Sequence, residues 1–137
     1  GLYVAGATDD AKLHIRWSTD AGSSYITADY QTQYLVETGS SLISYSKTAD
    51  GLYIDATGTS TGEDTCFQYD FYNPSQTASY PKANFMTSSA NQTSAGGIYV
   101  AGMSQNKTAQ NIDAFQIIMN SGDIANGSFY LYGLKGS

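Results

Sequence analysis

The sequence predicts an all-β fold, an antiparallel β-sandwich, and three observations carry that prediction. Apolar and polar residues alternate at a period of two through several runs, as half-buried strands require. Turn-forming clusters interrupt the runs at Asp20-Ala-Gly-Ser, Glu37-Thr-Gly-Ser, Ala49-Asp-Gly, 58–62, Asn73-Pro-Ser and Asn120-Ser-Gly-Asp. Their spacing is close to the roughly 8 to 12 residues that marks sandwiches and barrels. Nowhere do apolar residues recur at helical spacing over several turns. The 137 residues fit one domain, 1–137, with no evident linker or internal repeat. A domain of this size buries about two thirds of the surface its unfolded chain exposes.

The elements follow in order. Residues 12–17 put Leu13, Ile15 and Trp17 on one face and Lys12, His14 and Arg16 on a polar face, the pattern of an antiparallel strand with one wet side. Shorter strands are expected at 25–27, 30–36, 42–46, 52–55 and 83–86. Residues 66–72 alternate cleanly, Phe67, Tyr69 and Phe71 against Gln68 and Asp70. Residues 97–103 and 114–119 are rich in Ile, Val, Phe and Tyr. At the end, 111–119 and 128–134 flank the Asn120-Ser-Gly-Asp turn, which predicts a hairpin. Its second strand, with Phe129 and Leu131 opposite Tyr130 and Tyr132, would lock the C-terminus into a sheet. Residues 88–97 read as a long loop, and at most one short helical turn fits near 109–113.

Composition excludes several functions. The net charge is −6, Arg16 is the only arginine, and the five lysines are scattered at 12, 47, 82, 107 and 135. Nucleic-acid phosphates need clustered cations, and an anionic membrane surface would repel this chain. No apolar run is long enough to span a bilayer, and no basic-then-apolar leader opens the chain. Cys66 is the single cysteine, so no internal disulfide forms; it is expected as a small apolar residue in or beside the core.

Candidate chemistry is sparse. His14 is the sole histidine, so any Ser-His-Asp arrangement would have to use it, and no Gly-x-Ser-x-Gly elbow accompanies it. Glu37, Glu63, Asp64 and Asp70 are the carboxylates that a glycosidase-like pair would draw on. Asp9, Asp10, Asp20 and Asp123 are conceivable calcium ligands, but no EF-hand spacing is present, and one His with one Cys makes no transition-metal site. No metal or cofactor is expected. The glycosylation patterns at Asn91, Asn106 and Asn126 arise readily by chance in so Asn-, Ser- and Thr-rich a chain.

Twelve tyrosines remain. Tyr30, Tyr34, Tyr72, Tyr80 and Tyr99 are the candidates for an exposed aromatic platform. Rings beside Asn and Gln suit sugar stacking, and they suit a protein interface equally; for any single tyrosine, β propensity alone is the simpler account. The run Ser18-Thr-Asp-Ala-Gly-Ser-Ser-Tyr25 resembles the Asp-box hairpin of sialidases and other β-proteins. There Asp20 would accept turn N–H groups, Gly22 would supply a positive φ and Tyr25 would pack back. That is a structural role for Ser18, Asp20, Gly22 and Tyr25. Sialidase chemistry would need several arginines.

Taken in sequence, Gly6-Ala-Thr-Asp9, Leu13-His-Ile-Arg-Trp-Ser-Thr-Asp-Ala-Gly-Ser-Ser-Tyr25, Phe71-Tyr-Asn-Pro74, Asn111-Ile-Asp-Ala-Phe115 and Gly122-Asp-Ile-Ala-Asn-Gly-Ser-Phe-Tyr-Leu-Tyr-Gly-Leu-Lys135 resemble the sandwich domains of tail-fibre and other virion proteins of tailed bacteriophages. The resemblance touches both ends and one central point, and residues 30–62 carry none of it. It implies a jelly-roll type of sandwich, no transferable catalytic residues, and a non-enzymatic module displayed on the virion surface as part of a fibre or appendage. Other virion proteins, further copies of the chain through a tyrosine-rich face, and a host-surface carbohydrate are the implied partners. A capsid decoration protein bound to the major capsid protein is the alternative; a polysaccharide-cleaving enzyme using Glu63 or Asp70 is a third. Family members usually carry a further strand before the Gly-Ala-Thr-Asp segment, so the chain is expected to be the C-terminal part of a longer protein.

Overall fold

Alternating runs become sheets only when they find partners, and here most partners are distant in sequence. The computed structural model describes residues 3–9, 11–38, 41–57, 63–90 and 97–133. They form β1 (Tyr3–Gly6), β2 (Ala11–Ser18), β3 (Tyr30–Thr38), β4 (Ser41–Ala49), β5 (Leu52–Thr57), β6 (Thr65–Tyr72), β7 (Lys82–Ala90), β8 (Gly97–Asn106), β9 (Ala114–Met119) and β10 (Ile124–Ser128). A seven-stranded sheet has the order β10-β1-β6-β7-β8-β3-β4, and a three-stranded sheet has the order β5-β2-β9. Every strand pairing is antiparallel. The protein is an antiparallel β-sandwich, and among the described residues there is no helix.

Three nested pairs set the wrapping: β1 with β10 in the large sheet, β2 with β9 in the small one, and β3 with β8 in the large sheet again. An antiparallel ribbon that alternates between layers in this way is a rolled jelly roll. The centre of the ribbon departs from the simplest roll. β4 folds back on β3, β5 crosses to the small sheet beside β2, and β6 and β7 return to fill the large sheet between β1 and β8.

The crossings between layers are doubled and tied together. Where β2 leaves for β3, the Asp113 N–H donates to Ser18 O (3.0 Å), and the Ala21 N–H donates to the Asp113 carboxylate (3.0 Å). At the other end, the Asn120 N–H donates to Lys12 O (2.9 Å), the Lys12 N–H donates to Asn120 Oδ1 (2.7 Å), and the Ala7 N–H donates to Asp123 O (2.9 Å). Each corner therefore satisfies polar backbone that would otherwise be orphaned where a strand ends.

The core lies between the layers. Leu13, Ile15 and Trp17 of β2, with Leu52 and Met119, face Val4, Tyr30, Phe67 and Ala83 of the large sheet. Trp17 meets Tyr30 and Phe71 edge-to-face, at centroid distances of 5.9 and 6.2 Å. Burying each such large side chain contributes about 1.5–3 kcal/mol. A second cluster, Val36, Phe85 and Val100, lies further along the inner face of the large sheet. Polar side chains on that face are paired: Thr32 and Ser104 share a 2.7 Å hydroxyl bond.

Several expectations are corrected. β9 and β10 lie in different sheets, so the Asn120–Asp123 turn is a crossing and not a hairpin. Among the described residues the last strand is 124–128, not 128–134; Phe129 to Gly133 extend beyond it without regular structure, and Leu134 lies outside the described residues. The local pattern marks a break between two strands, but β2 and β1 outcompete the neighbour as partners. Tyr3–Gly6 forms a strand where none was expected, while 25–27 and 109–113 are irregular. Cys66 points outward on β6 and is exposed. His14, expected on a wet face, is only 6% exposed. The 58–62 turn, Asp10 and Asn91 lie outside the described residues.

Candidate functional site

Alternation leaves the large sheet with a polar outer face, and the register places its side chains in rows across the strands. One row is Ser46, Gln33, Met103, Asn84 and Asp70; the next is Ser44, Leu35, Ala101, Met86 and Gln68. Together these two rows line a groove of about 1000 Å³. It crosses β4, β3, β8, β7 and β6, a span of roughly 19 Å at the usual strand spacing. Its floor is apolar, with Leu35 and Met86 nearly half exposed. Its polar lining is amide, hydroxyl and a single carboxylate, Asp70, which accepts from Gln68 Nε2 at 3.2 and 3.3 Å.

The flanking rows form the sides. Gln31, Gln105, Lys82 and Tyr72 stand on one side, and Leu42, Glu37, Tyr99, Ser88 and Cys66 on the other. Gln105 Nε2 donates to Gln31 Oε1 (3.2 Å), and Asn84 Nδ2 reaches the Tyr72 hydroxyl at 3.4 Å. The face is thus nearly neutral, with few groups able to hold an ionic ligand.

Of the five tyrosines, the structure brings Tyr72 and Tyr99 onto this face, one on each flank. Tyr80 is exposed in the β6–β7 loop. Tyr34 faces inward against the Val36 cluster. Tyr30, expected at the surface, is fully buried. Its hydroxyl accepts the Trp17 N–H at 2.8 Å, and burial pushes its pKa up to about 12. The groove's own residues, Gln33, Gln68, Asn84, Leu35, Met86 and Met103, were missed. Their outward positions are legible in the alternation, but which strands are neighbours is not.

The Ser18–Tyr25 turn is built as follows. Asp20 Oδ1 accepts the Ser24 N–H (2.8 Å) and the Ser18 hydroxyl (2.8 Å), and Oδ2 accepts the Ser24 hydroxyl (2.6 Å). Gly22 sits at φ +83°, and the Tyr25 hydroxyl packs 3.2 Å from where its Cβ would be. The Ser24 hydroxyl, the Ser24 N–H and Ser18 together hold the Asp20 carboxyl down at about 2. The turn joins β2 of one sheet to β3 of the other, so it is a corner and not a hairpin.

A second cluster was not anticipated. His14 Nδ1 lies 3.3 Å from Asp50 Oδ1, Arg16 Nη2 donates to Asp50 Oδ2 at 2.5 Å, and Arg16 Nε donates to Asp50 O at 2.9 Å. Burial raises the Asp50 pKa, but the Arg16 hydrogen bond and the His14 charge outweigh it and hold the carboxyl below its usual value. The cluster pins the β4–β5 crossing against β2.

The remaining candidates are dispersed. Glu37 and Asp70 share the outer face three strand spacings apart, β3 to β6, and four residues apart along the strands, since Asp70 lies level with Gln33; that is about 20 Å in all, whereas glycosidase pairs stand about 5–9.5 Å apart. Glu63 is buried and Asp64 exposed. Among the described residues, no three His, Cys, Asp or Glu side chains converge as a metal site. Asn106 is buried, with Nδ2 donating to Ala28 O (3.0 Å), which leaves no room for a glycan there. Comparison of the chain with protein-family models, curated proteins and solved structures gives no match.

Proposed function

We propose that the chain is a non-enzymatic module displayed on the surface of a tailed-phage virion, as part of a fibre or similar appendage, and that its outer-face groove holds a neutral host-surface glycan. The groove carries the second half of this reading. A polysaccharide presents C–H faces and a line of hydroxyls. Leu35, Ala101, Met86 and Met103 suit the first, and Gln33, Gln68, Asn84, Ser44 and Ser46 suit the second. Asp70 accepts hydroxyl protons without demanding a cation. An open groove crossing five strands fits an extended oligomer better than a small compact molecule. The virion half is supported by the sequence resemblance. It also gives weak sites a use: repeated display raises avidity by roughly 10²–10⁴ without new contacts.

The test is a glycan array followed by calorimetry with wild type and a Gln68→Ala/Asn84→Ala double variant. Binding to neutral oligosaccharides is expected, with affinity in the double variant reduced about tenfold or more, since each lost hydrogen bond is worth about 1 kcal/mol. Preference for acidic glycans, or equal binding by both proteins, rejects the groove as the site. Gold-labelled antibody on purified particles tests the setting. Label on the tail or its filaments supports an appendage, an even shell over the head makes this a decoration protein, and unlabelled particles reject the virion reading.

A further inference from the structure

We propose that the segment following β10, residues 129–133, is an arm that adds a strand to the open β4 edge of a second copy of this chain. Phe129 remains on its own domain, tilted against Phe67 at 6.0 Å. Beyond it Tyr130, Leu131 and Tyr132 are 59, 73 and 81% exposed. Single exposed apolar residues are ordinary; three in succession, two of them tyrosines with high strand propensity, are not.

β4 supplies the complementary surface. It ends the large sheet on the side opposite β10, so every second residue turns its N–H and C=O outward. Its nine residues pair with β3 in unbroken register, without a bulge. It contains no proline, and Lys47 is its only charged residue; the charges, prolines and bulges that usually protect an edge strand are nearly all missing from it, and among the described residues no strand pairs with its outer side. Leu42 and Ile43, 68 and 43% exposed, project to opposite faces. An added strand with Tyr130 and Tyr132 on one face and Leu131 on the other would cover both.

Reach decides whose edge is filled. Six strand spacings separate β10 from β4, about 29 Å, whereas the four residues from Ser128 to Tyr132 extend about 14 Å at most. The arm cannot pair with its own β4. A second copy satisfies both features at once, because each molecule carries one arm and one edge. The contact is heterologous, arm to edge, and closes only if the rotation between copies allows.

Sedimentation velocity on three forms of the chain tests this: wild type, an arm variant Tyr130→Ser/Leu131→Ser/Tyr132→Ser, and an edge variant Leu42→Lys/Ile43→Lys. Circular dichroism checks that both variants keep their strands. Wild type is expected to form concentration-dependent multimers, and each variant alone to sediment as a monomer. An equal mixture of the two variants is expected to recover a dimer, because the edge variant retains an arm and the arm variant retains an edge. Wild type that stays monomeric at all concentrations, multimers that survive either set of changes, or a mixture that stays monomeric overturns the proposal. Monomeric wild type would also leave both surfaces to a different protein.

Discussion

Asp20 is tied so closely to Ser18 and Ser24 that its proton becomes a folding variable. The carboxyl titrates near 3.8 when free and near 2 in the folded chain. A depressed pKa means that the ionised form stabilises the fold above the unfolded value and that this contribution is lost as pH falls through the folded one. Asp20→Asn should therefore melt below wild type at pH 7, and the gap should close between pH 4 and pH 2; a gap independent of pH would show that the carboxylate charge does not hold the turn. Gly102 makes a different demand. A Cβ there would lie 2.6 Å from Tyr34 Cβ and 2.8 Å from the Phe85 ring, and would run into the Gln33 carbonyl. Gly102→Ala should cost about 1–3 kcal/mol in urea unfolding, as overpacked cores do. The turn chemistry of Asp20 and Gly22 was legible because it is local. Gly102 was not, since its crowding comes from β3 and β7.

Strands were legible where alternation is strong, and their partners were not. β2, β6 and β9 lie within a residue or so of the expected spans, because period-two burial needs only the chain's own neighbours. The supposed C-terminal hairpin failed because turn residues fix where a strand stops and not which strand it then joins. His14 failed for a related reason. The outer side of β2 looks wet in sequence, yet the Asp50 turn folds over it. That cluster is testable as an element. Asp50→Ala should release the β4–β5 crossing and lower stability by about 1 kcal/mol, the discounted worth of a half-exposed ion pair, or about 3–5 °C in Tm. An unchanged melting temperature would show that the crossing is held by its strands alone.

At the scale of the whole molecule, the nested pairing of β1 with β10, β2 with β9 and β3 with β8 predicts slow folding. The outermost pair joins Tyr3 to Ser128, so loop closure over nearly the whole chain precedes its reward. Trp17 is the only tryptophan and is buried in the core, which makes it a suitable stopped-flow probe. Refolding is expected in milliseconds to seconds or slower, and a microsecond phase carrying the full amplitude would contradict the nested topology. Fold class was readable from period and turn spacing. The division into seven strands and three, and the groove it exposes, were not, because they depend on pairings between residues far apart in sequence.

The meeting of Tyr3 and Ser128 on neighbouring strands has a mechanical side. Polypeptide attached at both ends would leave the domain from one corner, so the domain would hang beside its stalk as a pendant and not sit in line with it. Tension along that stalk would load the short β1–β10 ladder first, opening it rung by rung, while the single Val4–Thr65 rung holds β1 to β6. Of the strands that line the groove, only β6 touches the loaded pair; β7, β8, β3 and β4 would stay outside the line of force.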